Sequence, residues 1–375
     1  MRKFRFVSVF VICVSLFLAS CSKGERASGT PSALKDFAHT EYIVSYTSLK
    51  PGGYVATYDK DGKLLDTSKI EARNILSNTK SEDKYYFSSN RNDKHYEISQ
   101  NGEIQMIAKP KELENVRDGA YFIHSEQGYV YYDMNVGMAE NDSYVSQLVF
   151  GKEGEPKQHV KLHGTIQGAH ILNETLYAFS QTAEKLYIST IDLTTKKKVK
   201  EIEIPNRDVF FSSSSRKSMF EVANGKLVLA LSDNVDQKLP SYLAVINPDR
   251  LQVEKEVTLP NPQFIPMHMQ VVQNELYVIS EEGEVLAFDA SFRLAEQFKL
   301  QGMNQAQKEG GIADIQIEDD KAYLFYQYTS KSSQKGNERG VIYEYSLADG
   351  KKVHEVTIKF DRDAEDITFL VKKKI

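Results

Sequence analysis

The stretch Met269-Gln-Val-Val-Gln-Asn-Glu-Leu-Tyr-Val-Ile279 places two apolar-rich runs on either side of a short polar turn. A second pair of such runs follows at residues 285–288 and 294–300, joined through Asp289-Ala-Ser291. Short runs of β-branched and aromatic residues bounded by Asn, Asp and Gly are typical of strands joined by tight hairpins. This segment therefore predicts a small sheet of four antiparallel strands.

The same four-strand unit recurs along the chain. Its second hairpin is recognisable seven times, and Asp61-Gly62 and Asn101-Gly102 are strong turns because both positions tolerate positive φ. The repeat is about 48 residues long, and four-stranded repeats of roughly this length are the signature of propeller blades. The body begins at Tyr42 with a match to a second strand and ends at residues 366–371 with a match to a first strand. We therefore predict an all-β, seven-bladed β-propeller of four-stranded blades, in which the C-terminal strand completes the N-terminal blade; six or eight blades are the alternatives.

The Leu-Tyr-Val/Ile runs at residues 186–188 and 276–278, with their Asp-containing hairpins, resemble a known group of propellers. These are the seven-bladed YVTN-type and quinoprotein-like propellers of secreted bacterial proteins, and the resemblance covers most of residues 41–371. It is a likeness of architecture, which implies the fold and only weakly a function. Quinone-dependent dehydrogenases of this shape usually stack their cofactor on Trp, and the chain has no Trp. We therefore expect no cofactor.

The first twenty-one residues predict export and lipid anchoring. Residues 1–5 are a short basic start, residues 6–18 are an apolar run, and Leu18-Ala-Ser20 precedes Cys21. This is the order of a secretory signal peptide, and Leu-Ala-Ser-Cys resembles the lipobox of bacterial lipoproteins, in which the thiol is diacylated and the chain is cut before Cys. The resemblance implies a signal peptide over 1–20, a lipidated Cys21 with a flexible tether over 21–40, and one propeller domain over 41–375. An ordinary signal peptide or a membrane anchor that contains Cys is the alternative.

Composition limits the chemistry that the chain can perform. Once Cys13 leaves with the signal peptide and Cys21 carries lipid, the mature body has no thiol for a disulfide, a metal ligand or a nucleophile. The chain has 47 basic and 52 acidic residues, a net charge of −5, and loss of the basic start makes the charge more negative. An acidic balance argues against nucleic acid as a partner. The sequence also has no Gly-rich phosphate loop, Gly-x-Ser-x-Gly elbow or His-Glu-x-x-His motif.

Polar residues recur on the predicted innermost strands, which line the central channel of a propeller. Aligned repeats place His170, Glu221, Gln270 and Gln316 at one position, and Gly168, Met219, His268 and Asp314 two residues earlier. His124 also lies on a predicted inner strand, whereas the other five histidines are expected at the surface. The pattern predicts a polar channel lining that binds a ligand or, alternatively, is simply wet and satisfied. We expect no metal site, because His170 and His268 would have to converge from non-equivalent positions.

Long connections between strands predict a second candidate surface. Residues 133–143 and 328–339 interrupt blades, residues 205–218, 260–266 and 301–311 join blades, and by propeller geometry all of these emerge on one face. Phe210, Phe211 and Phe264 lie in these connections, where aromatic side chains would anchor a partner. The alternative is that they fill the seams between blades.

Taken together, these features favour a lipid-anchored cell-envelope propeller that is a protein- or ligand-binding scaffold and not an enzyme. Its expected partners are the membrane, through the lipid, and another envelope protein or a small ligand. One alternative is a lactonase- or lyase-like enzyme with a channel-mouth site of His and acidic residues. Another is an assembly factor resembling the eight-bladed propeller lipoprotein that helps to insert outer-membrane barrels. The protein would face outside the cytoplasm, and the sequence leaves open whether it sits on the outer leaflet of the cell membrane or on the outer membrane.

Overall fold

Seven antiparallel sheets, each built on four strands, form a ring. The computed structural model describes residues 32–116, 119–138, 144–182, 185–204, 219–231, 240–302, 310–328, 336–362 and 364–372. Within these residues every sheet is one propeller blade, so the predicted seven-bladed β-propeller is confirmed. Two single turns of 3-10 helix, Phe37–His39 and Lys111–Leu113, are the helical elements of the described chain.

The strands follow one another blade by blade along the chain. They are β1 (Ser32–Ala33), β2 (Tyr42–Thr47), β3 (Gly53–Tyr58), β4 (Leu64–Ile70), β5 (Ile75–Lys80), β6 (Lys84–Ser89), β7 (Tyr96–Ser99), β8 (Glu103–Met106), β9 (Ile123–Glu126), β10 (Tyr129–Met138), β11 (Tyr144–Lys152), β12 (Gln158–His163), β13 (Thr165–Leu172), β14 (Thr175–Gln181) and β15 (Leu186–Asp192). They continue as β16 (Lys197–Ile204), β17 (Phe220–Ala223), β18 (Lys226–Leu231), β19 (Tyr242–Asn247), β20 (Gln252–Thr258), β21 (Pro266–Val272), β22 (Glu275–Ser280), β23 (Glu284–Phe288), β24 (Leu294–Lys299), β25 (Gly310–Glu318), β26 (Lys321–Tyr328), β27 (Glu338–Ser346), β28 (Lys352–Lys359) and β29 (Asp366–Val371).

The first blade is assembled from both ends of the propeller. Its strand order is β29-β2-β3-β4, whereas blades 2 to 7 are consecutive meanders that start at β5, β9, β13, β17, β21 and β25; the short β1 adds a fifth, outermost strand to blade 2. Strand β29 pairs with β2 over six residue pairs, from Thr47 with Asp366 to Tyr42 with Val371. The C-terminal strand therefore completes the N-terminal blade, as predicted, and closes the ring.

The innermost hairpins use the tight turns that their sequences indicate. Two residues separate β13 from β14, and both Asn173 (φ 49°) and Glu174 (φ 60°) have positive φ. Gln273 (φ 49°) and Asn274 (φ 70°) do the same between β21 and β22. Positive φ at both central residues is the geometry that matches the twist of the flanking strands.

The hydrophobic core lies in the seams between neighbouring blades. Six clusters of buried apolar side chains cover the seven seams, and the largest spans blades 4, 5 and 6. Tyrosine fills much of this space in a chain without Trp. At the seam of blades 7 and 1, Tyr46 stacks on Phe360 with ring centroids 3.9 Å apart, and its hydroxyl lies 2.6 Å from that of Tyr58. The Tyr58 hydroxyl in turn donates to the Lys359 carbonyl oxygen at 2.9 Å. At this seam the hydroxyl groups of Tyr46 and Tyr58 thus keep polar partners while their rings pack.

The propeller starts earlier in the chain than the sequence indicated. Residues 33–40 were expected to belong to a tether, yet Leu34 and Phe37 are buried in the seam of blades 1 and 2. The Leu34 amide donates to the Gly102 carbonyl oxygen at 2.9 Å, and the Lys372 ammonium donates to the Phe37 carbonyl oxygen at 2.7 Å. Two isolated apolar residues carry no periodicity, so their burial was not visible in the sequence.

A buried carboxyl group organises the entry to blade 3. Asp133 of β10 is fully buried, and its Oδ1 accepts the amide protons of Tyr121 (2.7 Å) and Phe122 (2.9 Å) just before β9. Burial raises the pKa of the Asp133 carboxyl to about 7, against the opposing effect of these two hydrogen bonds. The neutral acid is therefore the form that the fold stabilises.

We expect Asp133→Asn to remove a pH dependence of stability. With a folded pKa near 7 and an ordinary pKa near 4, the Asp133 contribution is complete below pH 4 and is lost as the pH rises through 7. Between pH 5 and pH 8 the free energy of unfolding of the wild type should fall by on the order of 3 kcal/mol more than that of Asp133→Asn. Urea unfolding at both pH values measures the difference. Asp83→Asn, at an exposed position, is the control. If the unfolding free energies of Asp133→Asn and wild type change equally between pH 5 and pH 8, the raised pKa of Asp133 is contradicted.

Candidate ligand and metal site in the central channel

A cavity of about 780 Å³ occupies the central channel. All seven innermost strands, β5, β9, β13, β17, β21, β25 and β29, contribute residues to its wall. The wall includes six of the polar residues that the sequence placed on inner strands: His124, His170, Glu221, His268, Gln270 and Gln316. Asp314 is buried on β25, two residues before Gln316.

The innermost strand of each blade presents an unpaired edge to this cavity. Backbone N–H and C=O groups on that edge have no neighbouring strand, and leaving them buried without a partner is costly. Side chains from the innermost strand of an adjacent blade supply the missing partners. The polar residues that recur on the inner strands thus provide hydrogen-bond partners for the inner strand of an adjacent blade. This role depends on how the blades are arranged in the ring.

The closing strand β29 shows this arrangement most completely. Asp314 Oδ2 accepts from the Phe369 amide (3.3 Å) and from Asn78 Nδ2 (2.9 Å). Gln316 Oε1 accepts from the Val371 amide (3.2 Å), and Gln316 Nε2 donates to the Phe369 carbonyl oxygen and to Asn78 Oδ1. Asn78 belongs to blade 2, whereas Asp314 and Gln316 belong to blade 7. These three side chains therefore link the two blades that flank β29. We call Asn78, Asp314 and Gln316 the closing clasp.

Similar bonds recur around the channel. Lys80 of blade 2 donates to the Val371 carbonyl oxygen at 3.1 Å and pairs with Glu318 at 2.6 Å. Gln270 Nε2 donates to the Ile317 carbonyl oxygen at 3.0 Å, and its Oε1 lies 3.1 Å from His268 Nε2. Lys80 and Gln270 thus bond to backbone groups of adjacent blades and hold neighbouring blades together. On this side of the channel, part of the polar lining has a structural role.

We expect Gln316→Leu to lower the free energy of unfolding by about 1–3 kcal/mol, because it removes the partners of two backbone groups on β29. Chemical denaturation measures the loss. Gln252→Leu, a similar change at an exposed position on the outer strand β20, should stay within about 0.5 kcal/mol of wild type. Equal effects of the two substitutions would show that the clasp does not contribute to closure.

The opposite side of the cavity carries a cluster of ionisable side chains, which we call the His–Glu cluster: His124, Glu126, His170 and Glu221. His170 Nδ1 lies 3.1 Å and His124 Nε2 lies 3.6 Å from the same oxygen, Glu126 Oε2. The two imidazole rings meet edge to face with centroids 4.6 Å apart. Glu221 Oε1 lies 3.7 Å from the other ring nitrogen of His170. The other oxygen of Glu126 accepts the Ile171 amide proton, which orients the carboxylate.

The charges in the His–Glu cluster depend on one another. Burial alone would lower the pKa of His170, but the Glu221 and Glu126 carboxylates raise it to about 9. Burial would raise the pKa of Glu126, yet His170 and His124 hold it well below its usual range. Burial raises the pKa of Glu221 to about 7, with His170 opposing and Glu126 adding to the effect. The two carboxyl groups thus raise the pKa of His170, and His170 in turn lowers the pKa of each carboxyl group.

The structure adds one residue that sequence reasoning missed. Glu126 stands two residues after His124 on β9, so both side chains point to the same face of the strand. Glu126 is the last residue of the inner strand of blade 3, and the equivalent last residue in blade 4 is Leu172. The same repeat position is therefore apolar in blade 4. The alternation His124-Ser-Glu126 was the available signal. The expectation of no metal site considered only His170 with His268, whereas the structure groups His124, Glu126 and His170, whose ligand atoms lie within 4.8 Å of one another.

Of the three loop phenylalanines expected on a binding face, the structure describes Phe264. Phe264 is 1% exposed and packs in the core cluster of blades 4 to 6, so the alternative of a seam-filling side chain holds for it. Phe210, Phe211 and Cys21 lie outside the described residues, as does most of the connection at 328–339. His95 was expected at the surface but is fully buried, and burial lowers its pKa to about 4.

Comparisons with known proteins find one matching propeller family model and several similar solved structures. The model of the YycP beta-propeller domain matches residues 253–364. A computationally designed protein, Ika8, shares 8% identity over 84% of this chain and 87% of its own, with a TM-score of 0.51. The dihydro-heme d1 dehydrogenase NirN (13% identity, 88% of this chain, 66% of NirN, TM-score 0.49) and apo AztD from Citrobacter koseri (13%, 88%, 98%, 0.48) are also similar. The chain thus spans slightly less than two thirds of NirN. No curated protein matches the chain.

Proposed function

We propose that this protein is an exported, lipid-anchored binding protein of the bacterial envelope whose central cavity holds a small polar ligand. The observation that carries the proposal is the cavity of about 780 Å³ with the His–Glu cluster on its wall. Cavities of roughly 300–1,000 Å³ with a few convergent polar groups are the usual form of ligand sites.

The distribution of polar groups in the channel favours binding on one side of it. Asp314, Gln316 and Gln270 already bond to backbone groups of adjacent blades. In the His–Glu cluster, by contrast, His124 and Glu126 remain partly exposed to the cavity, with 33% and 24% of their side chains accessible. A ligand would therefore make its directional contacts with the cluster and rest against the rigid strands elsewhere.

The proposed location rests on the N-terminal sequence, Leu18-Ala-Ser-Cys21 after an apolar run. None of the helices in the described part of the chain is long and apolar enough to cross a membrane. A lipid on Cys21 would hold the propeller at the membrane surface with its cavity outside the cytoplasm.

We expect Cys21→Ser to release the protein into the soluble extracytoplasmic fraction or to block its maturation, because the lipid would be lost. Fractionation of the envelope followed by immunoblotting measures the distribution. Cys13→Ser changes the other cysteine, within the apolar run, and should leave the protein membrane-bound. Membrane retention of Cys21→Ser after a high-salt wash would contradict lipid anchoring.

We expect Thr79→Phe to empty the cavity of its ligand. Thr79 is partly buried on β5 and lines the cavity, so a phenyl ring there would fill part of the space. The full chain is purified in detergent from its own envelope, and the molecules and metals that co-elute are identified by mass spectrometry. Thr67→Phe, on the exposed face of the outer strand β4, is the matched control.

A molecule that accompanies wild type and Thr67→Phe but not Thr79→Phe supports the cavity as the binding site. Wild-type protein that carries no molecule or metal contradicts the proposal. A co-eluting protein that Thr79→Phe retains would instead favour a scaffold that binds its partner outside the channel.

A further inference from the structure

We propose that His124, Glu126 and His170 bind one divalent transition-metal cation of the Zn²⁺ class on the wall of the central cavity. This inference rests on the proposed function and deepens it, because it names the chemical class of what the cavity binds.

The distances in the cluster suit a single ion. A metal bonded at about 2.0–2.1 Å to tetrahedral N and O ligands holds those ligand atoms roughly 3.3 Å apart. His170 Nδ1 and His124 Nε2 lie 3.1 Å and 3.6 Å from Glu126 Oε2, and all three ligand atoms lie within 4.8 Å of one another. Small rotations of the side chains would therefore complete three corners of a coordination sphere.

The types of ligand atom identify the class of metal. Two imidazole nitrogens and one carboxylate oxygen suit Zn²⁺ and the neighbouring ions Co²⁺ and Ni²⁺, whereas Ca²⁺ and Mg²⁺ prefer oxygen ligands throughout. A set of two His and one Glu is also a common arrangement for zinc with an open fourth position. Here the fourth position would face the cavity, where water or a bound ligand fills it.

Groups next to the three residues orient them, as the neighbours of metal ligands usually do. Glu126 Oε1 accepts the Ile171 amide proton, which leaves Oε2 directed at both imidazoles. Glu221 lies 3.7 Å from His170 Nε2, the ring nitrogen that faces away from Glu126. A carboxylate on the far nitrogen is the usual partner of a metal-bound histidine and fixes which nitrogen faces the ion. We assign Glu221 this positioning role.

The ligands come from two blades, because His124 and Glu126 belong to β9 of blade 3 and His170 belongs to β13 of blade 4. A bound ion would therefore join neighbouring innermost strands, as the clasp does on the opposite side of the channel. His170 is nearly buried, with 6% of its side chain accessible, whereas His124 is 33% accessible, so an ion can reach the site from the cavity.

The test uses the untagged full chain in detergent, stripped with a chelator and titrated with zinc sulfate against a chromogenic competitor. We expect one Zn²⁺ per chain, and a rise in thermal midpoint when zinc is added. His124→Gln and Glu126→Gln should each weaken zinc binding at least about 10-fold, and Glu221→Gln should weaken it by roughly 10-fold or more through the orientation of His170. Titration with Co²⁺ should give visible ligand-field absorption in wild type that Glu221→Gln alters.

His163→Gln is the matched control, because His163 also pairs with a glutamate, Glu201 at 2.5 Å, but on the outermost strands β12 and β16 away from the central channel. It should leave zinc binding unchanged. Thermal midpoints of the metal-free variants report whether each one is folded. If Glu126→Gln is unstable, His124→Gln still tests the site, because the His124 side chain is more exposed.

Wild type that binds no zinc, or zinc binding that survives both His124→Gln and Glu126→Gln, overturns the metal site. Loss of binding in His163→Gln as well would also overturn it. If zinc does not bind but an organic molecule accompanies wild type and is lost in Thr79→Phe, the metal inference fails and the proposed function stands. If neither zinc nor any other molecule binds, both fail.

Discussion

The unpaired inner edge of each blade is the constraint on which the channel of this propeller depends. Every innermost strand ends its sheet at the central channel, so its backbone groups need partners that no further strand supplies. Strand β29 depends on this most, because it reaches blade 1 from the far end of the chain. Asp314 and Gln316 bond to its edge from blade 7, while Lys80 does so from blade 2. Closure is thus secured by β-pairing with β2 on one edge and by side chains on the other.

The same constraint explains why the channel has two chemically different sides. Where Asn, Gln and Asp occupy the inner positions, their side chains bond to backbone groups of adjacent blades or to one another and leave little capacity for a ligand. Where His124, Glu126, His170 and Glu221 occupy them, one carboxylate oxygen still bonds to the Ile171 amide, but the remaining groups meet one another. The inner-strand positions that elsewhere link adjacent blades therefore place convergent ligand atoms at the seam of blades 3 and 4.

Rigidity of the wall follows from the seams behind it. The buried apolar clusters lie between blades and include eight of the nine tyrosines among the largest fully buried side chains, so neighbouring inner strands are held at fixed separation. A site built from two such strands needs little reorganisation to bind an ion. The buried Asp133 adds to this order by fixing the chain just before β9, the strand that carries His124 and Glu126.

The strands, seven as the favoured number of blades and the closing strand could be predicted from the sequence alone, because alternating apolar runs and two-residue turns are local signals that repeat. The repeat alignment also placed His170, Glu221, Gln270 and Gln316 at one channel position. That Gln316 holds a strand edge while His170 joins a cluster became visible in the folded ring, because both outcomes depend on which residue of the next blade lies opposite. Glu126, Leu34 and the buried Phe264 show the same limit. Their surroundings come from residues distant in sequence, which no local pattern records.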